Sequence, residues 1–89
     1  MSGDYQVELS KGASRYFERC DATMKERLKG KLERLKANPF DPQQSKALKG
    51  RKEQRSARVG DLRILFRVEG STIIVASIDS RGQVYKHGQ

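Results

Sequence analysis

The chain has 89 residues, enough for one small domain and too few for a second core. Its 19 Lys and Arg against 11 Asp and Glu give a net charge of +8, which points to nucleic acid or another polyanion as partner. One cysteine, Cys20, and one histidine, His87, exclude an internal disulfide, a multi-cysteine or histidine-rich metal site and a two-histidine ribonuclease site, so neither metal nor cofactor is expected. No apolar run reaches the roughly 18 residues of a membrane span. Met1-Ser2-Gly3-Asp4 lacks the apolar core of a secretory leader, so the expected address is the cytoplasm.

Tyr5, Val7 and Leu9 alternate with Gln6 and Glu8, the pattern of a short half-buried strand. Ser10 is placed to cap a helix whose apolar stripe is Ala13, Tyr16, Phe17 and Cys20. In that stripe Cys20 reads as a packing residue. A second helix starts at Asp21 or Thr23, and Thr23 with Glu26 reads as a capping box. Met24, Leu28, Leu32 and Leu35 form its apolar stripe, and lysines and arginines fill the other faces. Gly30 sits mid-helix at a cost of about 1 kcal/mol relative to Ala, marking close packing or a weak point. Asn38-Pro39 ends the helix, because a residue before proline avoids the helical region.

Phe40 to Gln44 reads as a loop, and Lys46 to Lys52 as a loop or a strand entry. Three strands follow: Gln54 to Val59, Leu62 to Val68, and Thr72 to Ile78, separated by turns at Gly60-Asp61 and Glu69-Gly70-Ser71. The β-branched content of Thr72 to Ile78 reads as a central strand buried on both sides. Ser80 to Gln89 reads as a polar tail. The expected fold is α+β: an N-terminal strand, then an antiparallel helical hairpin packed on one face of a small, mainly antiparallel four-stranded sheet, in the order β-α-α-β-β-β over residues 1–89. Leu62, Ile64, Phe66 and Val68 must face the helices, since a one-residue slip would bury two arginines. Arg63, Leu65 and Arg67 then face the open side.

Leu35-Lys36-Ala37-Asn38-Pro39, Leu48-Lys49-Gly50, Arg58-Val59-Gly60-Asp61-Leu62-Arg63-Ile64-Leu65-Phe66 and Arg81-Gly82-Gln83-Val84-Tyr85-Lys86 occur in that order. Together they resemble the RelE/ParE toxin superfamily, and more closely its RelE-type messenger RNA endonucleases. The resemblance covers nearly the whole chain. It implies a type II toxin that enters the ribosomal A site, cuts messenger RNA and is neutralised by a cognate antitoxin, through which the complex can bind operator DNA. ParE-type relatives share the fold and act on DNA gyrase instead. A gyrase poison and an inactive RNA-binding relative therefore stand as alternatives.

Metal-independent RNA cleavage turns the 2′-hydroxyl onto its own 3′ phosphate. It needs a base, cations for the phosphorane charge and an acid for the leaving 5′ oxygen. Arginine stays protonated and suits charge stabilisation. By the resemblance Arg63 occupies a catalytic arginine position and Arg81 that of the arginine assisting the leaving group. Tyr85 can stack on a base or orient the 2′-hydroxyl. Lys49, Arg55, Arg58, Arg67 and Lys86 are candidate RNA or ribosome contacts. Arg55 and Arg58 have a competing role as ion-pair partners of Asp61 or Glu69. Where some relatives carry lysines before the turn this chain has Gln54 and Ser56, and where many carry a histidine before the closing arginine it has Ser80. The base candidates are His87, Lys86 and Lys49.

Overall fold

Residues 5–48 and 51–80 are described by a computed structural model. Their elements run β1 (Gln6–Leu9), α1 (Lys11–Arg19), α2 (Ala22–Ala37), β2 (Lys46–Leu48), β3 (Arg51–Val59), β4 (Leu62–Glu69) and β5 (Thr72–Ser80). The strands form one sheet in the order β1-β5-β4-β3-β2. β1 lies parallel to β5 and every other pair is antiparallel. Both helices cover one face, as expected for a sheet that must bury one side. Among the described residues no helix is long and apolar enough to cross a membrane.

Ser10 starts α1 and also fastens it to the sheet. Its hydroxyl accepts from the Ala13 N–H at 3.1 Å and donates to the Ala76 carbonyl at 2.7 Å. Its own N–H donates to the Val75 carbonyl at 2.9 Å. Ala76 is the extra residue of a β-bulge: Leu65 pairs with Ser77 and Phe66 with Val75, leaving Ala76 unmatched. The bulge changes the inward parity of β5, so Ile73 and Val75 point to the helices before it and Ile78 after it. At the other end of β1, the Tyr5 N–H donates at 2.9 Å to the Lys36 carbonyl, one of the acceptors left over in the last turn of α2.

α2 is capped by Asp21, whose Oδ1 accepts from the Met24 N–H at 2.8 Å. The Thr23–Glu26 capping box does not form. Thr23 is already helical, and the carboxylate two residues earlier reaches the orphan N–H while favouring the positive end of the helix dipole. Asn38 caps the other end, as expected. Leu28 and Leu35 are fully buried, with Met24 and Leu32 packed beside them. These side chains, with Ala13, lie against Ala57, Val59, Leu62, Ile64, Phe66, Ile73, Val75 and Ile78. Cys20 packs on this core and its thiol donates to the Tyr16 carbonyl at 3.3 Å; burial pushes its pKa up.

The sheet has five strands where four were expected, because Lys46–Leu48 adds an edge strand on β3. Arg55 holds the preceding loop in place. Its guanidinium donates to the Ser45 Oγ at 2.8 Å and the Ser45 carbonyl at 3.3 Å, and lies 5.3 Å over the Phe40 ring. The Phe40 ring meets Tyr5 edge-on at 6.5 Å. The chain emerging from this clamp is delivered alongside β3, a tertiary effect with no alternating pattern in Lys46-Ala47-Leu48 to announce it. β5 is an interior strand as expected, but it is not buried on both sides. Ile74, opposite Arg67, is half-buried on the face away from the helices.

Ser10→Ala removes the α1 cap and leaves the bulge carbonyl without its donor, and should cost about 1–2 kcal/mol in urea denaturation. Thr23→Ala should shift stability by less than about 0.5 kcal/mol, because Thr23 caps nothing.

Candidate nucleic-acid interface

Facing residues in adjacent strands share a side of the sheet. β3 and β4 meet through the two-residue turn Gly60-Asp61, in which Gly60 takes φ +56°, a conformation that disfavours any residue with a Cβ. Val59 therefore pairs with Leu62 on the helix side, and Arg58 pairs with Arg63 on the open side. The next open-side pairs are Ser56 with Leu65 and Gln54 with Arg67. On its far side Arg63 pairs with Asp79, Leu65 with Ser77 and Arg67 with Ile74. Lys46, opposite Ser56, extends the face onto β2. The open face is thus divided: Lys46, Arg58, Arg63 and Arg67 on β2 to β4, Glu8 and Asp79 on β1 and β5.

These cations are not equivalent. Arg67 is occupied, its Nε donating to the Glu69 carboxylate at 2.6 Å. Among the described residues the only other ion pair is Lys36–Glu33. Arg58 and Arg63 therefore face each other across the ladder with no carboxylate of the described residues within 4.0 Å of either. Like charges directly opposite oppose sheet formation, at roughly 0.2–1 kcal/mol. Next to this pair on the same face stands the half-buried Leu65, with Ser56 and Ser77 opposite it on either side, and a guanidinium offers planar N–H donors suited to an anion.

Of the residues singled out from sequence, Arg58, Arg63 and Arg67 come together on the open face. Arg55 does not. It pairs with Phe66 on the helix side, and its guanidinium is engaged by Ser45 and Phe40. Nor do Arg55 and Arg58 serve Asp61 or Glu69 as ion-pair partners; Glu69 takes Arg67. Lys49, Arg81, Tyr85, Lys86 and His87 lie outside the described residues, and with them every proposed base. β5 ends at Ser80, paired with Leu62, one position from the Arg63–Asp79 pair. Sequence reasoning passed over Lys46 and Asp79 as members of this face. Asp79 follows from the register across the Glu69–Thr72 turn only once the Ala76 bulge is known. No cluster of three or more His, Cys, Asp or Glu able to hold a metal occurs among the described residues.

The model of the ParE toxin family of type II toxin-antitoxin systems matches residues 7–85. No protein with a curated description matches the chain. Among solved structures, the chain is similar to an archaeal RelE–RelB complex from Pyrococcus horikoshii, with a TM-score of 0.77, 20% identity and coverage of 90% of this chain and 98% of that one. It is similar to the toxin–antitoxin complex RelBE2 from Mycobacterium tuberculosis, with a TM-score of 0.76, 21% identity and coverage of 91% and 95%. The isolated RelE toxin of Escherichia coli gives a TM-score of 0.76 at 20% identity, with 94% of each chain covered.

Arg58→Gln should raise the thermal midpoint in low salt by relieving the facing charges. The gain should shrink between about 0.01 and 1 M salt, as the Debye length falls from about 30 to 3 Å. Arg67→Gln, which breaks an ion pair, should give no such gain.

Proposed function

The chain belongs to the ParE toxin family of type II toxin-antitoxin systems, and we propose that within it this protein is a ribosome-dependent, metal-independent messenger RNA endonuclease. The observation that carries this reading is the Arg58–Arg63 pair on the open face, which takes no carboxylate partner among the described residues. A pre-set pair of cations stabilises charge that develops on a phosphorane better than charge already present in the ground state. Arg63 is the clamp on the scissile phosphate and Arg58 its second cation. Arg81, assigned from the sequence alone, assists the leaving 5′ oxygen, and Tyr85 stacks on a base. Lys49, Arg67 and Lys86 hold the flanking RNA backbone or the ribosome.

The proton acceptor for the 2′-hydroxyl is the least supplied part. His87, Lys86 and Lys49 are the candidates from sequence. Among the described residues the ionisable acceptor standing next to Arg63 in register is Asp79. Cleavage then rests mainly on in-line positioning and charge stabilisation, with the ribosome holding the RNA. Ribosomes and messenger RNA place the protein in the cytoplasm. Two of the three similar structures described above are toxin–antitoxin complexes, and by that likeness a cognate antitoxin is the neutralising partner. An acidic antitoxin segment complements the +8 charge, and operator DNA is reached through the antitoxin.

A second reading, a non-nucleolytic poison of DNA gyrase, is favoured by one observation: the matching family model is the ParE one. The two separate in vitro. Protein added to translating ribosomes should truncate messenger RNA at the A-site codon, with Arg63→Ala lowering the rate about 10²–10³-fold. Intact messenger RNA at saturating protein, with gyrase supercoiling inhibited, would replace the first reading with the second.

A further inference from the structure

We propose that the groove between α2 and the free edge of β3 is a second RNA-backbone site, joined to the open face through Arg58. The ladder between β2 and the C-terminal half of β3 starts at Lys46–Ser56, so Ala57 to Val59 run on without a neighbour on that side among the described residues. Two adjoining clefts lie along this edge. One is lined by Arg27, Gly30, Lys31, Arg34 and Arg58, the other by Lys31, Gln44, Lys46 and Arg58 among others. Lys31 and Arg58 line both, which makes the clefts one groove.

The groove is cationic by construction. Arg27, Lys31 and Arg34 are spaced by four and three and therefore share one face of α2. Lys46 and Arg58 stand opposite them, and Glu26 is the only carboxylate in the lining. None of these five cations takes part in an ion pair among the described residues. Lys31 is held in place, its ammonium donating to the Gln44 Oε1 at 3.0 Å. Burial lowers its pKa, and neighbouring Arg34 lowers it further. The ammonium is thus kept partly desolvated beside another cation. The Arg27 Nη1 lies 3.4 Å from where a Cβ of Gly60 would stand, laid against the turn that sets Arg58 opposite Arg63. A Cβ on Gly30 would meet nothing within 4 Å, so this mid-helix glycine serves no packing and leaves the groove floor bare.

The groove offers few apolar side chains to seat a peptide: Pro42, Ala57 and Val59 are the apolar lining. A phosphodiester backbone needs none, and three guanidinium forks match its oxygens. Arg58 also stands opposite Arg63. A strand whose phosphate sits at Arg63 can therefore cross the β3 edge at Arg58 and continue into the groove. The identity of the ligand rests on the nuclease reading; the groove itself does not.

The test uses 2′-O-methyl RNA, which cannot be cleaved, as a tetramer and as a dodecamer. Affinity is read by fluorescence anisotropy across a salt series. Each lost phosphate contact lowers the slope of log K against log salt by about 0.7 for single strands. Lys31→Gln/Arg34→Gln should lower the dodecamer slope by about 1.4 and its low-salt affinity at least about tenfold, leaving the tetramer unchanged. Gly30→Gln, which replaces glycine with a better helix former, should weaken dodecamer binding with no loss of thermal midpoint. Unchanged dodecamer slopes in both variants would overturn the proposal. So would a loss confined to a polyglutamate probe, which would assign the groove to an acidic polypeptide. Lost slope in the Lys31/Arg34 variant, with no cleavage by the unmodified protein on ribosomes, would support the groove and refute the nuclease reading alone.

Discussion

The tight turn at Gly60-Asp61 is the constraint on which the rest of this molecule hangs. Only two residues separate β3 from β4, and a positive φ at Gly60 closes the link. Such a turn leaves no freedom of register. It places Ala57, Val59, Leu62, Ile64 and Phe66 on the helices and, by the same act, sets Arg58 against Arg63 on the outside. The hydrophobic requirement and the electrostatic cost are thus coupled: sliding the strands to separate the arginines would turn the core residues outward. Burial of several large apolar side chains, at about 1.5–3 kcal/mol each, outweighs a like-charge pair costing less than about 1 kcal/mol. The fold can therefore hold a cationic pair that local energetics disfavour, which is the condition for a ready anion site.

The second determinant is the join between the helices and the sheet. Ser10 ends β1, caps α1 and satisfies the carbonyl of the β5 bulge. Because the bulge inverts the inward parity of β5, it returns Ile78 to the core and brings Asp79 beside Arg63. One hydroxyl thereby links the helical layer to the composition of the open face. At the other edge Arg55 plays the reverse part. A cation drawn by sequence towards the ligand side is turned to the helix side, where it organises Phe40, Ser45 and the short β2.

Much of this was legible before any coordinates. The caps at Ser10 and Asn38, the stripes on both helices, the hairpin turns and the outward position of Arg63 and Arg67 follow from local pattern. The index relation across a two-residue turn also contained the Arg58–Arg63 pair and the inward position of Arg55. What local pattern could not carry was tertiary. The bulge at Ala76 depends on a hydroxyl sixty-six residues away. β2 depends on a loop clamped by Arg55, and the choice of Asp21 over Thr23 as cap depends on where the chain leaves α1. The groove beside α2 was invisible for the same reason: nothing local in the lysines and arginines that fill the polar faces of this helix announces that β3 runs beside them.

The central claim is that Arg58 and Arg63 form one anion site. The most direct measurement is NMR of the arginine Nε–H groups during titration with a short 2′-O-methyl RNA. The account predicts that the Arg58 and Arg63 resonances shift together along a single binding curve, while Arg55, already held by Ser45 and Phe40, stays put. Arg58 and Arg63 resonances that remain unmoved at RNA concentrations saturating the protein would contradict it.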